Sequence, residues 1–369
     1  MGRRRNGRQL LAVVLMTLTL DAVLVAVADI QIQTFKSALG PIQNILYLNL
    51  SRDDGVVVVS VRNALYALSP DDLSVRAAYK TGPENDSSLC PPYPLSCIHS
   101  RNVTDNNNRI LLQVGTEPLV LACGSTSQGM CSIHDPLRGL NVTASMDKTL
   151  TENYVASKRS TVAFFGNRND GRHVLFSATV SDGRPPEYRL FPMSSRVLDL
   201  SGSFALLSHA SAASKYQAVH LVYGFSNNGF AYFVEVRRGR SQSQHPLETW
   251  LVRVCEHGES SFRTYVAVPI ACRAQNVLLS VATSAHLGPP MYSRGGGGSN
   301  TIRILAATFA MSSTVTMSSF KMNLPISAVC FFDMNSVEDA FLSSARLPRP
   351  YHEKGLTIRP SYYVSIALG

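Results

Sequence analysis

The sequence predicts an exported, all-β domain, and three observations carry that reading. Short apolar segments recur along the chain, separated by turn residues such as Asp54-Gly55, Asp182-Gly183 and Asn227-Asn228-Gly229, which is how paired strands are written. Two closely spaced cysteine pairs, Cys90 with Cys97 and Cys123 with Cys131, can each staple a turn at a strand end, as small secreted β domains do. Four Asn-x-Ser/Thr acceptor sequences, at Asn49, Asn85, Asn102 and Asn141, fit a chain that meets the glycosylation machinery.

Composition sets the limits. The chain has 369 residues, 45% hydrophobic and 16% charged, so it can bury one large core or two moderate ones and is not of disordered type. The net charge of +9 is partly local: Arg3, Arg4, Arg5, Arg8 and Asp21 place +3 in the first 28 residues. The remainder has no long basic run, so nucleic acid is not an expected partner. The first 28 residues read as a secretory signal peptide: a basic start, an apolar stretch from Leu10 to Leu20, and Ala26-Val27-Ala28 as the cleavage pattern. Asp21 interrupts the apolar stretch, which leaves an uncleaved signal anchor as the alternative. No other run has the ~20 apolar residues of a spanning helix, so the chain as written is expected to be secreted.

From Asp29 the predicted strands follow in order. A buried strand over Val56 to Ser60 leads through a turn at Val61-Arg62-Asn63 into Ala64 to Leu68. Asn108 to Val114 and Pro118 to Cys123 form the next pair. Thr161 to Phe165 and Val174 to Val180 flank Asn169-Asp170-Gly171, a strong hairpin signal. His220 to Phe225 and Phe230 to Val236 flank Asn227-Asn228-Gly229, and Trp250 to Cys255 precedes Tyr265 to Cys272. Ile302 to Met311 and Ile326 to Phe332 close the series, with Gly295 to Ser299 as a low-complexity loop. Antiparallel units repeating in this way suit a propeller, whose four-stranded blades bury both faces by stacking.

Several of these stretches, in this order, resemble the sema domain of plexins, the cell-surface receptors for semaphorins. Thr81-Gly82-Pro83 is followed by Cys90-Pro91-Pro92, by the Asp105-Asn106-Asn107-Asn108 run, and by strands ending in Ala122-Cys123-Gly124-Ser125 with Gln128-Gly129 and Cys131. Val57 to Ser69 is similar to a family strand pair, with Ser60-Val61 where the family has Gly-Ala. Val174 to Leu198, with its Asp182-Gly183, Glu187-Tyr188 and Ser194-Ser195-Arg196, resembles a line that semaphorins do not usually carry. Cys255 and Cys272 match the cysteines of a later signature, and Ser327-Ala328-Val329-Cys330 resembles another. The resemblance covers roughly residues 45 to 335.

It implies a sema-type, seven-bladed β-propeller that is truncated here after about five blades. The expected domains are a signal peptide at 1–28, an incomplete sema domain at 29–335 and a divergent tail at 336–369. The resemblance pairs Cys90 with Cys97, Cys123 with Cys131, and Cys272 with Cys330. It sends the partner of Cys255 beyond the last residue, which leaves Cys255 unpaired and accounts for the odd count of seven cysteines.

Enzymatic signatures are missing from the sequence. There is no G-x-S-x-G, H-E-x-x-H, phosphate loop or C-x-x-C spacing, and the nine histidines show no ligand spacing beside a carboxylate. Gly295 to Gly298 lack the Lys-Ser/Thr of a phosphate loop. A reactive thiol at Cys255 has only its sequence neighbours Glu256 and His257 for support, so an orphaned structural cysteine is the better reading. Arg237-Arg238-Gly239-Arg240 reads as a solvated hairpin loop before a glycosaminoglycan contact, because it directly follows a strand.

No cofactor, metal or small-molecule substrate is therefore expected, and the chain is not read as an enzyme. The resemblance implies recognition of a semaphorin sema domain, with another plexin chain or a co-receptor as a further partner, in axon guidance and cell migration. It implies a place on the outside of the plasma membrane if the chain belongs to a full-length receptor. The alternatives are a semaphorin-like ligand, a soluble decoy, a secreted propeller hydrolase, and a truncated product without function.

Overall fold

The computed structural model describes residues 33–51, 54–93, 97–167, 172–188, 190–198, 204–210, 218–239, 246–257, 261–274, 277–292, 301–311, 326–345 and 362–367. Five four-stranded antiparallel sheets follow one another along it. Sheet I comprises Ile42–Ser51, Asp54–Val61, Ala64–Leu68 and Val75–Lys80. Sheet II comprises Ile110–Gln113, Val120–Cys123, Cys131–Asp135 and Asn141–Ser145. Sheet III holds Thr161–Asn167, His173–Thr179, Met193–Leu198 and Phe204–His209, and sheet IV holds Ala218–Asn227, Phe230–Arg238, Leu247–Cys255 and Val266–Ile270. Sheet V holds Val281–Leu287, Ile304–Ala310, Ile326–Asp333 and Tyr362–Ala367. Each is a meander in which neighbours in sequence are neighbours in space, and the first strands of successive sheets lie against one another. This is the five-blade arrangement of a propeller.

The strands form where β-branched and aromatic residues alternate or cluster, and turn chemistry sets the register. In sheet IV, Asn227 pairs with Phe230 across a two-residue turn. Asn228 has φ of 49° and Gly229 has φ of 77°, the left-handed pair that two-residue hairpins require. The expected turn at Asn169-Asp170-Gly171 and the glycine run at 295–299 lie outside the described residues.

The core lies between the sheets in four apolar layers. Leu48, Val58 and Leu65 of sheet I meet Leu111, Val120 and Ala122 of sheet II. Leu121 and Ile133 meet Leu175 and Leu198 of sheet III. Phe164 and Phe176 of sheet III pack on Phe233 and Val252 of sheet IV, with the Phe164 and Phe233 rings 5.2 Å apart. Tyr232 and Leu251 of sheet IV face Leu305, Phe309 and Phe332 of sheet V in the largest layer. Each such side chain contributes about 1.5–3 kcal/mol by leaving water.

The segment that the sequence reading sets apart as a tail begins with structure. An α-helix, Met334–Ala345, starts at Asp333, whose carboxylate accepts from the Asn335 N–H (3.1 Å) as a helix cap. Met334, Val337 and Phe341 fall on one helical face and bury in the layer between sheets IV and V. Arg253 of sheet IV lies over the rings of both Phe230 (4.3 Å) and Phe341 (4.6 Å), which ties the helix to that sheet. The strand Tyr362–Ala367 then pairs with Ile326–Asp333 as the last strand of sheet V.

Three disulfides are formed: Cys90–Cys97, Cys123–Cys131 and Cys272–Cys330. Cys123 and Cys131 are direct cross-strand partners in sheet II, and Cys272–Cys330 ties the ribbon after sheet IV to sheet V. Cys255 is a free, half-buried thiol among the described residues.

Candidate recognition surface

The stretches that set the sequence apart turn out to be joints of the scaffold. Asn108 is 2% exposed, and its Nδ2 donates to the carbonyls of Val61 (2.7 Å) and Ala64 (3.1 Å) and to Thr81 Oγ1 (3.1 Å). Asn106 donates to the Thr81 carbonyl (2.9 Å), while its Oδ1 accepts from the N–H groups of Ser125 (2.8 Å) and Thr126 (3.2 Å). Asn63, in a left-handed turn at φ 68°, accepts from the Asn106 N–H and donates to Asp105. Together these asparagines clamp the turn of sheet I to the entrance of sheet II. Glycine is required beside them: a Cβ on Gly82 would lie 2.6 Å from Asn63 Oδ1, and one on Gly124 would collide with the Asn106 amide.

Gln128 is left-handed (φ 59°) and buried, and its Nε2 donates to the carbonyls of Cys90 (2.7 Å) and Ser88 (3.1 Å), seating the first cysteine loop. Arg184 in turn donates to the carbonyls of Gln128 (2.9 Å) and Ala156 (3.3 Å) and pairs with Asp182 at 2.7 Å, the two side chains being 5% and 6% exposed. Burial raises the Asp182 carboxyl, but hydrogen bonds from Arg184 and the Lys158 N–H outweigh it and hold the group below the usual carboxylate range. Arg196 is 1% exposed and reaches the carbonyls of Glu152 (2.8 Å) and Tyr154 (3.5 Å) as well as the hydroxyls of Ser177 and Ser194. Burial pulls this guanidinium down to about 10, against the pull of Glu152.

One sequence expectation is corrected. Arg237 is not part of a solvated loop. Its side chain is 13% exposed, pairs with Glu235, bonds the Tyr265 hydroxyl and lies 4.8 Å over the Trp250 ring. The reason is strand alternation: Arg237 stands two residues after Glu235, on the same inward face. Burial pushes the Glu235 carboxyl up. The signal was present in Val234-Glu235-Val236-Arg237, where two opposite charges share one side. Arg238 is exposed, and Arg240 lies outside the described residues.

With those groups committed to the scaffold, the exposed apolar side chains are the candidates for a recognition surface. The two most exposed are beside the first cysteine loop and on the ribbon Glu84–Asp86 with Asn102–Thr104: Ile98 is 96% exposed and Val103 79%, with Leu89 exposed nearby. Asn85 and Asn102 are exposed on the same ribbon. Leu137 and Val142 are exposed at the outer edge of sheet II, beside exposed Asn141. Ile42, Ile45 and Tyr47 are exposed on sheet I. None of these groups is nucleophilic, and among the described residues no cluster of His, Cys, Asp and Glu can hold a metal ion. No described helix is long and apolar enough to cross a membrane.

No protein-family model matches the chain. Curated relatives do. Mouse plexin-A2 is 29% identical over 276 residues, covering 66% of this chain and 14% of its own. Human plexin-A3 is 30% identical over 275 residues, covering 66% and 14%. Mouse plexin-B2 is 28% identical over 311 residues, covering 79% and 16%. The chain thus spans only about one seventh of the length of these relatives. Among solved structures, the plexin A4 extracellular region superposes with a TM-score of 0.65 at 25% identity, covering 84% of this chain and 33% of that one. Drosophila semaphorin 2a shares the fold with a TM-score of 0.60 at 14% identity, covering 91% of this chain and 61% of its own.

Proposed function

This is a plexin sema-domain-like chain, and from that premise we propose that it acts outside the cell by binding the sema domain of a semaphorin. The observation that carries the proposal is the alignment of two thirds of the chain with plexins, on a scaffold whose motif side chains Arg184, Asp182 and Arg196 bond within the fold. What remains at the surface suits protein contact: exposed apolar side chains on disulfide-held loops, without an acid–base or nucleophilic pair. Export is inferred from the leader read at 1–28 and from the four acceptor sequences. The partner is a protein, and its semaphorin identity is inferred from the plexin likeness.

The test is direct. The full chain is produced in secreting animal cells and immobilised, and sema domains from each semaphorin class are passed over it. Saturable binding to at least one class, weakened by Ile98→Asp or Val103→Asp, is the expected result. Absence of binding to every class by a folded, secreted chain overturns the proposal.

A further inference from the structure

We propose that Asn228-Gly229, the turn of sheet IV, is a deamidation site, and that its conversion to aspartate loosens the helix Met334–Ala345 from that turn. Apart from Asn6-Gly7 at the basic start of the chain, it is the one Asn-Gly step in the sequence. The turn itself calls for this pair. Asn228, at φ 49°, holds a left-handed conformation that asparagine and aspartate tolerate better than most residues with a side chain. Gly229, at φ 77°, is crowded as well: a Cβ there would come within 3.2 Å of His257 Nε2. The backbone therefore holds in place the two residues whose adjacency makes the amide labile.

The chemistry needs only water. Asn228 is exposed, and the hairpin pairs Asn227 with Phe230, which leaves the Gly229 N–H outside its ladder. Glycine has no Cβ to hinder the approach of this nitrogen to the side-chain amide. The bond from Gly229 N to Asn228 Cγ forms, the Cγ–Nδ2 bond breaks, and ammonia leaves with the Gly229 proton. Water then opens the cyclic imide at either carbonyl, giving aspartate or its isomer with a lengthened backbone. The helix registers the change through Glu338. Asn227 and Asn228 each donate from Nδ2 to Glu338 Oε1, both at 3.1 Å. Among the described residues no cation pairs with Glu338, and Arg303 meets this cluster through Asn227 Oδ1 (3.3 Å). Deamidation replaces one donor with a second carboxylate facing the first, and like charges at that range repel. Aspartate keeps the hairpin, because it tolerates the same φ, so the repulsion falls on the helix contact.

The inference does not depend on semaphorin binding, and its two halves are tested separately. The full secreted chain is kept folded at neutral pH and body temperature, and peptide masses are followed over time. Asn228 is expected to show the amide-to-acid mass gain several-fold faster than the buried Asn63, Asn106 and Asn108. No gain at Asn228, or a gain no faster than at those three, overturns the site. The consequence is read by amide hydrogen exchange along Met334–Ala345. Asn228→Asp is expected to speed that exchange several-fold, and adding Glu338→Gln is expected to return it toward the original rate. Unchanged exchange in Asn228→Asp overturns the loosening, and equally fast exchange in the double variant overturns charge repulsion as its cause.

Discussion

The joint between sheets II and III and the joint between sheets IV and V solve one packing problem with different chemistry. At the first, a modest apolar layer is supplemented by two buried guanidiniums, Arg184 and Arg196, that donate into the carbonyls of segments 28 to 56 residues earlier. At the second, aromatic and aliphatic side chains fill the gap, and a helix and the Cys272–Cys330 bond close it. A polar joint needs particular atoms in particular places, because any unmet carbonyl or charge in it is expensive. An apolar joint needs volume and little else.

The largest expected effect breaks the polar joint. Arg196→Ala strands the Glu152 and Tyr154 carbonyls and is expected to cost about 3–5 kcal/mol, read as a fall in the denaturant midpoint of the secreted chain. Arg196→Met, which fills the space but donates to neither carbonyl, is expected to recover little of that loss. Near-complete recovery by Met would show that volume, and not the hydrogen bonds, is what matters there.

A pH series sharpens the comparison. His134 in sheet II sits between Ser132 Oγ (2.8 Å) and the Leu140 carbonyl (2.9 Å); burial lowers its pKa and the carbonyl pulls it partly back. His220 in sheet IV is pushed by burial down to about 4 from 6.5. A depressed imidazole binds its proton more readily in the unfolded chain. Its stabilising effect is therefore complete above pH 6.5 and is lost as pH falls toward 4, to the extent of about 3 kcal/mol for His220. Thermal midpoints between pH 7 and 4 should fall, and His220→Gln should flatten that fall more than His134→Gln does.

The asparagine clamp gives a smaller effect. Asn106→Ala leaves the Ser125 and Thr126 N–H groups without their acceptor and is expected to cost about 1–3 kcal/mol in the same denaturant assay. The smallest effect belongs to the apolar joint: Leu279→Met conserves volume and is expected to cost less than about 1.5 kcal/mol. A cost there as large as that of Asn106→Ala would dissolve the contrast between the joints.

The same contrast governs what the sequence could reveal. Asp105 to Asn108, Gln128-Gly129, Asp182-Gly183 and Ser194-Ser195-Arg196 stand out as motifs because a polar joint admits few residue types. Strand order and the two local cysteine pairs were legible through turn residues and spacing, while Cys272–Cys330, 58 residues apart, was legible only through the family resemblance. The layer between sheets IV and V was marked in the sequence only by its cysteine signatures, since Phe309, Leu305 and Phe332 are ordinary strand residues whose neighbours are set by tertiary packing. The helix Met334–Ala345 was missed: its buried residues 334, 337 and 341 lie on one face, but so short an amphipathic run is easily lost beside a strand. The candidate surface was illegible because an exposed Ile98 and a buried Leu121 look alike until burial is known.

The meander of each sheet has a consequence for how the molecule is made. Each hairpin can close soon after its second strand emerges, without waiting for distant chain, so local pairing keeps pace with synthesis. Arg184 and Arg196 reach only backward, to carbonyls already translated. Sheet V is different, because its last strand arrives after the helix and a further stretch of chain. A ribosome paused before residue 362 would hold four finished sheets and a fifth with Ile326–Asp333 as an open edge, the moment in the life of this chain when a chaperone has most to protect.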